Sequence, residues 1–163
     1  MEPVKTVSDN DAIIKHFMCI LDCDKIIITG SYALNKMGLC KSVKDIDIML
    51  INPSAATIEI LKKLAHADES KHLLPVDYPD SIDLFRIMFN GKKVDFFTSP
   101  MVPSREYLTL DNGITISTVP DIVRAKKACN RLKDILQLRN IAESIYKESD
   151  LNTYLLNECK KLL

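Results

Sequence analysis

The sequence predicts an α/β (α+β) protein: a mixed β-sheet of about four or five strands with flanking helices, followed by a C-terminal helical segment. Three observations lead there. Short β-branched runs at Ile26 to Thr29 and at positions 45–51 are bounded by turn residues, too short for helices and apolar enough for a sheet core. Two more runs flank Asn90-Gly91, the strongest short-range hairpin signal. From Pro120 onward the apolar spacing turns helical.

Element by element, Asp9 to Leu21 reads as a helix. Ile26 to Thr29 is a buried strand, and Gly30 lets the chain turn sharply with its backbone close to a ligand. Ser31 opens a short helix over Tyr32 to Met37, with Gly38 as its stop. The strand at 45–51 ends at Asn52-Pro53-Ser54. An amphipathic helix then covers Ala55 to Ala65, with Ile58, Leu61 and Leu64 on one side. Glu69 to Ser81, which holds Pro75 and Pro79, is a loop.

Leu84 to Phe89 and Lys93 to Phe97 form the hairpin, with Lys92 able to lengthen its loop. The loop Ser99 to Asn112 carries Arg105 and Tyr107, a cation and an aromatic suited to a phosphate and a base. The plainer reading is a surface loop with Tyr107 tucked into the core. A short strand over Gly113 to Thr118 and the helices complete the order.

With 163 residues the chain can bury a core of its own and has no room for a separate substrate domain. Lysine and arginine number 22 against 22 aspartate and glutamate, so no global field favours a long polyanion. No run of about 18 apolar residues occurs. Met1-Glu2-Pro3 begins no signal peptide, so a soluble, cytoplasmic protein is expected. Five scattered cysteines fit a reducing compartment. His16, Cys19 and Cys23 would share a helix face, but the interleaved apolar residues read as an ordinary packed helix and make the cysteines core residues rather than zinc ligands. His66 and His72 read as surface residues.

The chemistry gathers on three acids. Asp45 and Asp47, at i and i+2 of a strand, project from one face about 7 Å apart at the backbone, close enough to hold one divalent ion. The plain alternative is a solvated strand edge. Asp95 lies between large hydrophobes on the second hairpin arm, where an unpartnered carboxylate would take a proton or cost several kcal/mol. A metal ion would relieve it, and so would a cross-strand pair with Arg86.

Strand, Gly30-Ser31, thirteen residues, then Asp45-Ile46-Asp47-Ile48 resembles the signature of the nucleotidyltransferase superfamily of DNA polymerase β-like folds. Val94-Asp95-Phe96-Phe97 matches the family's third acid strand. A third island, Val119 to Ile141, resembles a lysine, then arginine-x-lysine-aspartate, pattern of small bacterial nucleotidyltransferase-like proteins, including abortive-infection and toxin-type members. By register it falls on Lys126, Arg131, Lys133 and Asp134, with Gln137 where the family often has another acid.

The resemblance implies a catalytic core over residues 1–119, with the helices of 120–163 packed on the same domain. It implies transfer of a nucleoside monophosphate from an NTP to an acceptor hydroxyl, with release of pyrophosphate. Gly30 and Ser31 would hold the β- and γ-phosphates. Asp45, Asp47 and Asp95 would carry two Mg²⁺ ions, or Mn²⁺, about 3.5–4 Å apart, and Asp95 would help take the acceptor's proton. A small molecule, a protein or an RNA would accept. The alternatives are a catalytically silent nucleotide-binding regulatory or toxin–antitoxin component, and a structural adaptor.

Which lysine faces the nucleotide depends on helix continuity. On one unbroken helix Lys127 clusters with Arg131 and Asp134, while Lys126 points away with Lys133. If Asn130 caps one helix and starts another, the family register favours Lys126.

Overall fold

The computed structural model describes residues 9–65, 83–99, 107–129 and 132–147. Its elements run α1 (Asp9–Ile20), β1 (Lys25–Thr29), α2 (Gly30–Lys36), β2 (Ile46–Ile51), α3 (Ala55–Leu64), β3 (Asp83–Phe89), β4 (Lys92–Ser99), β5 (Tyr107–Thr109), β6 (Thr115–Ser117), α4 (Val119–Cys129) and α5 (Leu132–Lys147). One mixed sheet takes the order β3-β4-β2-β1-β6-β5. β1 runs antiparallel to β2 and parallel to β6, while β2 runs parallel to β4. β3 and β5 close the two edges as antiparallel partners of β4 and β6.

Local chemistry explains the element ends. At the close of α2 the Leu39 N–H donates to the Leu34 carbonyl and the Gly38 N–H to that of Asn35. This is the paired bonding of a helix stopped by a left-handed residue, and Gly38 has φ +77°. Ser54 caps α3 by accepting from the Thr57 N–H. Asn90 and Gly91, with φ of 49° and 75°, form the two-residue hairpin turn that suits the right-handed twist of strands. Lys92 does not lengthen it, because it pairs directly with Phe89.

Ile28, Ile46, Ile48, Leu50, Val94 and Phe96 make one face of the sheet fully apolar and buried. Each such side chain stabilises the fold by roughly 1.5–3 kcal/mol relative to exposure. Ile14 and Phe17 of α1, Tyr32 to Leu34 of α2, Val123 of α4 and Ile141 of α5 pack in the same cluster. Phe17 meets Phe96 edge to face at 4.9 Å. Among the described residues no helix is long and apolar enough to cross a membrane.

Among the described residues the sheet has six strands rather than four or five. The extra one, β5, falls within the segment expected to be a loop, and all three of its residues are exposed, so no alternation marks it. A turn in which the Leu110 N–H reaches the Ile114 carbonyl folds it onto β6. Tyr107 is not tucked into the core; its ring is 41% exposed and lies 3.6 Å beneath the Lys25 ammonium.

In α3 Leu64 is exposed, and Thr57 joins Leu61 as a buried position. The Thr57 hydroxyl accepts from the Asp22 N–H and donates to the Asp22 carbonyl, which satisfies it there. Cys19 lies on the surface instead of in the core. The Cys23 thiol is half-buried, donates to the Lys25 carbonyl, and is pushed up in pKa chiefly by burial. His66, His72, the loop Glu69 to Ser81 and Arg105 lie outside the described residues.

Candidate functional site

Three pairing registers assemble one polar row. Thr29 closes β1 opposite Asp47 of β2, Asp47 stands beside Asp95 of β4, and Asp95 stands opposite Arg86 of β3. Side chains directly opposite one another project from the same face, so the row crosses four strands. It occupies the face opposite the large apolar core. Asp45, just before β2, and Lys93, two residues before Asp95, extend the same face by a second row.

Cations hold two of the three acids. Arg86 Nε donates to Asp95 Oδ1 at 2.8 Å and its Nη2 to Oδ2 at 2.9 Å, a bidentate pair. This is the cross-strand pair that the sequence allowed, and it raises the Arg86 pKa, first through those hydrogen bonds. Lys93 reaches Asp45 Oδ2 at 3.1 Å. The sequence reading passed over Lys93, although two residues before Asp95 on one strand is the spacing that shares a face.

Asp47 is treated differently. Its carboxyl is pushed up to about 6, by burial first, then by Asp95 and Asp45, while Lys126 and Lys133 pull it down. Among the described residues nothing donates a hydrogen bond to it. Partial burial, like charge and the lack of a donor among the described residues act against its ionised form, and a cation would offset them.

Gly30 is needed here twice. Its φ of +66° belongs to the left-handed region, and a Cβ built on it would overlap Asp47 Oδ2. The turn after β1 therefore lies directly against the Asp47 carboxylate. The Ser31 hydroxyl donates to the Asp45 carbonyl at 3.2 Å, tying the start of α2 to the entry of β2.

The basic helices separate the two lysines. α4, to Cys129, and α5, from Leu132, do not share one straight axis. Lys126 meets Gln137, eleven residues on, which at about 1.5 Å per residue no single straight helix allows, and Asn130 lies outside the described residues. Lys126 is largely enclosed, 3.9 Å from buried Asp134, and donates to the Gln137 amide oxygen. Its charge and that of Lys133 reach Asp47, whereas Lys127 is exposed. Arg131 lies outside the described residues.

Among the described residues, no three His, Cys, Asp or Glu side chains already enclose a point where a metal ion could sit. The donor chemistry nonetheless suits a hard divalent ion at Asp45 and Asp47. Both present only carboxylate oxygens, Asp47 is without a donor, and the Lys93 contact to Asp45 is single and partly exposed. Asp95 fits less well, because both of its oxygens accept from Arg86.

No protein-family model matches the chain, and no curated protein matches it. A solved structure from Thermotoga maritima, described as a "putative nucleotidyltransferase", is similar over 83% of this chain and 94% of its own. The TM-score is 0.50 at 13% identity. At that identity the likeness is one of fold: the mixed sheet and its helices have a nucleotidyltransferase-like arrangement.

Proposed function

We propose that the protein transfers a nucleoside monophosphate from an NTP to an acceptor hydroxyl and releases pyrophosphate, with Asp45 and Asp47 holding Mg²⁺. The observation that carries this reading is Asp47, a half-buried carboxylate to which no described residue donates, crowded by two other acids and packed against the Gly30 turn. The fold shared with the Thermotoga protein supports it.

In this reading the triphosphate lies along the turn after β1, where Gly30 lets it approach the acids and Ser31 fixes the turn to β2. Lys126 and Lys133 offset its negative charge from the helical side. The acceptor oxygen bonds the α-phosphorus, the bond to the β-phosphate oxygen breaks, and the hydroxyl proton passes to Asp95. Arg86 holds Asp95 in place for this, and each carboxylate oxygen keeps a lone pair free of it. A divalent ion supplies charge for the leaving pyrophosphate.

Balanced charge, 22 against 22, favours a small-molecule or protein hydroxyl over RNA as acceptor. The test is incubation with each α-labelled NTP, Mg²⁺ and a fractionated lysate, followed by assay of label transfer and pyrophosphate. Label should enter one class of acceptor, and Asp45→Asn or Asp47→Asn should abolish it. Near-normal transfer by either variant would sink the assignment.

A second reading rests on the bidentate hold of Arg86 on Asp95: the site binds NTP but has lost transfer, as in a regulatory or toxin–antitoxin component. It predicts that NTP and Mg²⁺ raise the melting temperature while no pyrophosphate forms.

A further inference from the structure

We propose that this site takes one divalent ion, held by Asp45 and Asp47, and that the Arg86 guanidinium occupies Asp95 in place of a second. The inference rests on the nucleotidyl-transfer reading and specifies its metal chemistry.

The three acids differ in what already neutralises them. Asp95 is 8% exposed in its side chain and meets a planar fork whose two N–H groups engage both oxygens at 2.8 and 2.9 Å. Asp95 is buried and the fork preorganised, though Arg86 itself is 31% exposed, and an ion entering at the same oxygens would stand against a positive charge held by two bonds. The Lys93 ammonium on Asp45 is a point charge on a flexible stem, single in its contact, with both side chains about a third exposed. It can withdraw into solvent and leave Asp45 to a metal. Among the described residues Asp47 has no donor to lose.

The register explains why the substitution is built in. The two-residue turn at Asn90-Gly91 fixes Arg86 opposite Asp95, on the same face as Asp47. A hydrogen-bonded cation therefore stands at the far end of the acid row, while at the near end, against Gly30, Lys126 and Lys133 act on Asp47 only through their charge among the described residues. The ligand implied is one hard divalent cation whose remaining positions are filled by water and by phosphate oxygens.

The experiment counts Mn²⁺ bound per chain by electron paramagnetic resonance, with Mn²⁺ alone and the full-length protein. We expect one ion in the wild type. Asp47→Asn should weaken its binding roughly tenfold or more, whereas Asp95→Asn should change it by less than about threefold. Arg86→Met should admit a second ion, and if that variant does not fold, the Asp95→Asn comparison decides. Two ions in the wild type, or an Asp95→Asn loss as large as that of Asp47→Asn, overturns the proposal while leaving metal-dependent transfer standing. No bound Mn²⁺ in any protein overturns both.

Discussion

Asp47 and Asp95 are neighbours across two parallel strands, on one face and in one row, yet the protein treats them oppositely. Asp95 is tethered by both oxygens to Arg86, while Asp47 is half-buried with no donor among the described residues. The difference teaches that acids alike in sequence need not be alike in role. One is neutralised by a bidentate partner in the fold, and the other only by the more distant charges of Lys126 and Lys133 among the described residues. Stability measurements should therefore move in opposite directions at the two positions.

The largest effect is expected at the tether. Arg86→Met leaves Asp95 enclosed and unpaired and should cost about 2–4 kcal/mol in urea unfolding, with Arg86→Met/Asp95→Asn recovering most of it. A wild-type midpoint in the single variant would break the comparison.

At the other acid the sign reverses. The Asp47 carboxyl is raised from the ordinary 3.8 to about 6, so its protonated form favours the fold. That contribution is complete below about pH 4 and is lost as pH rises through about 6. Asp47→Asn should thus stabilise the metal-free protein by about 2 kcal/mol near pH 8 and by nothing near pH 4. Urea unfolding at the two pH values measures it, and a destabilised variant at the higher pH would mean that Asp47 has a partner after all.

A smaller effect sharpens the picture from the helical side. Lys126 pulls the Asp47 carboxyl down. In Lys126→Ala the Asp47 titration, followed by carboxyl NMR, should move further up, and ATP binding should weaken by a factor that shrinks with salt. Lys127→Ala should stay within about 0.5 kcal/mol of wild type in stability and leave the titration in place. Identical titrations in both variants would remove α4 from the site.

Much of this was legible because it is local. The Gly30 turn, the Asp45 and Asp47 spacing and the Asn90-Gly91 hairpin each depend on a few adjacent residues, and the hairpin alone sets Arg86 against Asp95. What was not legible depends on distant partners. That Lys126 faces the acids while Lys127 does not follows from the packing of α5 back on α4, which brings Asp134 and Gln137 to Lys126 and which helical geometry along one axis cannot supply. β5 exists because a turn at Leu110 to Ile114 delivers three exposed residues to β6, and three residues carry no readable period. The contact of Gly30 with Asp47 required knowing that β1 pairs with β2 antiparallel.

The turn at Asn90 and Gly91 touches no acid and is exposed to solvent, the kind of place where chains ordinarily accept an inserted residue. Here its length acts as a gauge. One added residue that slipped β4 against β3 would bring Ile87 or Phe85 opposite Asp95 and leave Arg86 on the other face, because side chains alternate. Homologous chains that keep the Arg86–Asp95 pair should therefore hold this turn at two residues and draw them from Asn, Asp and Gly, which accept positive φ.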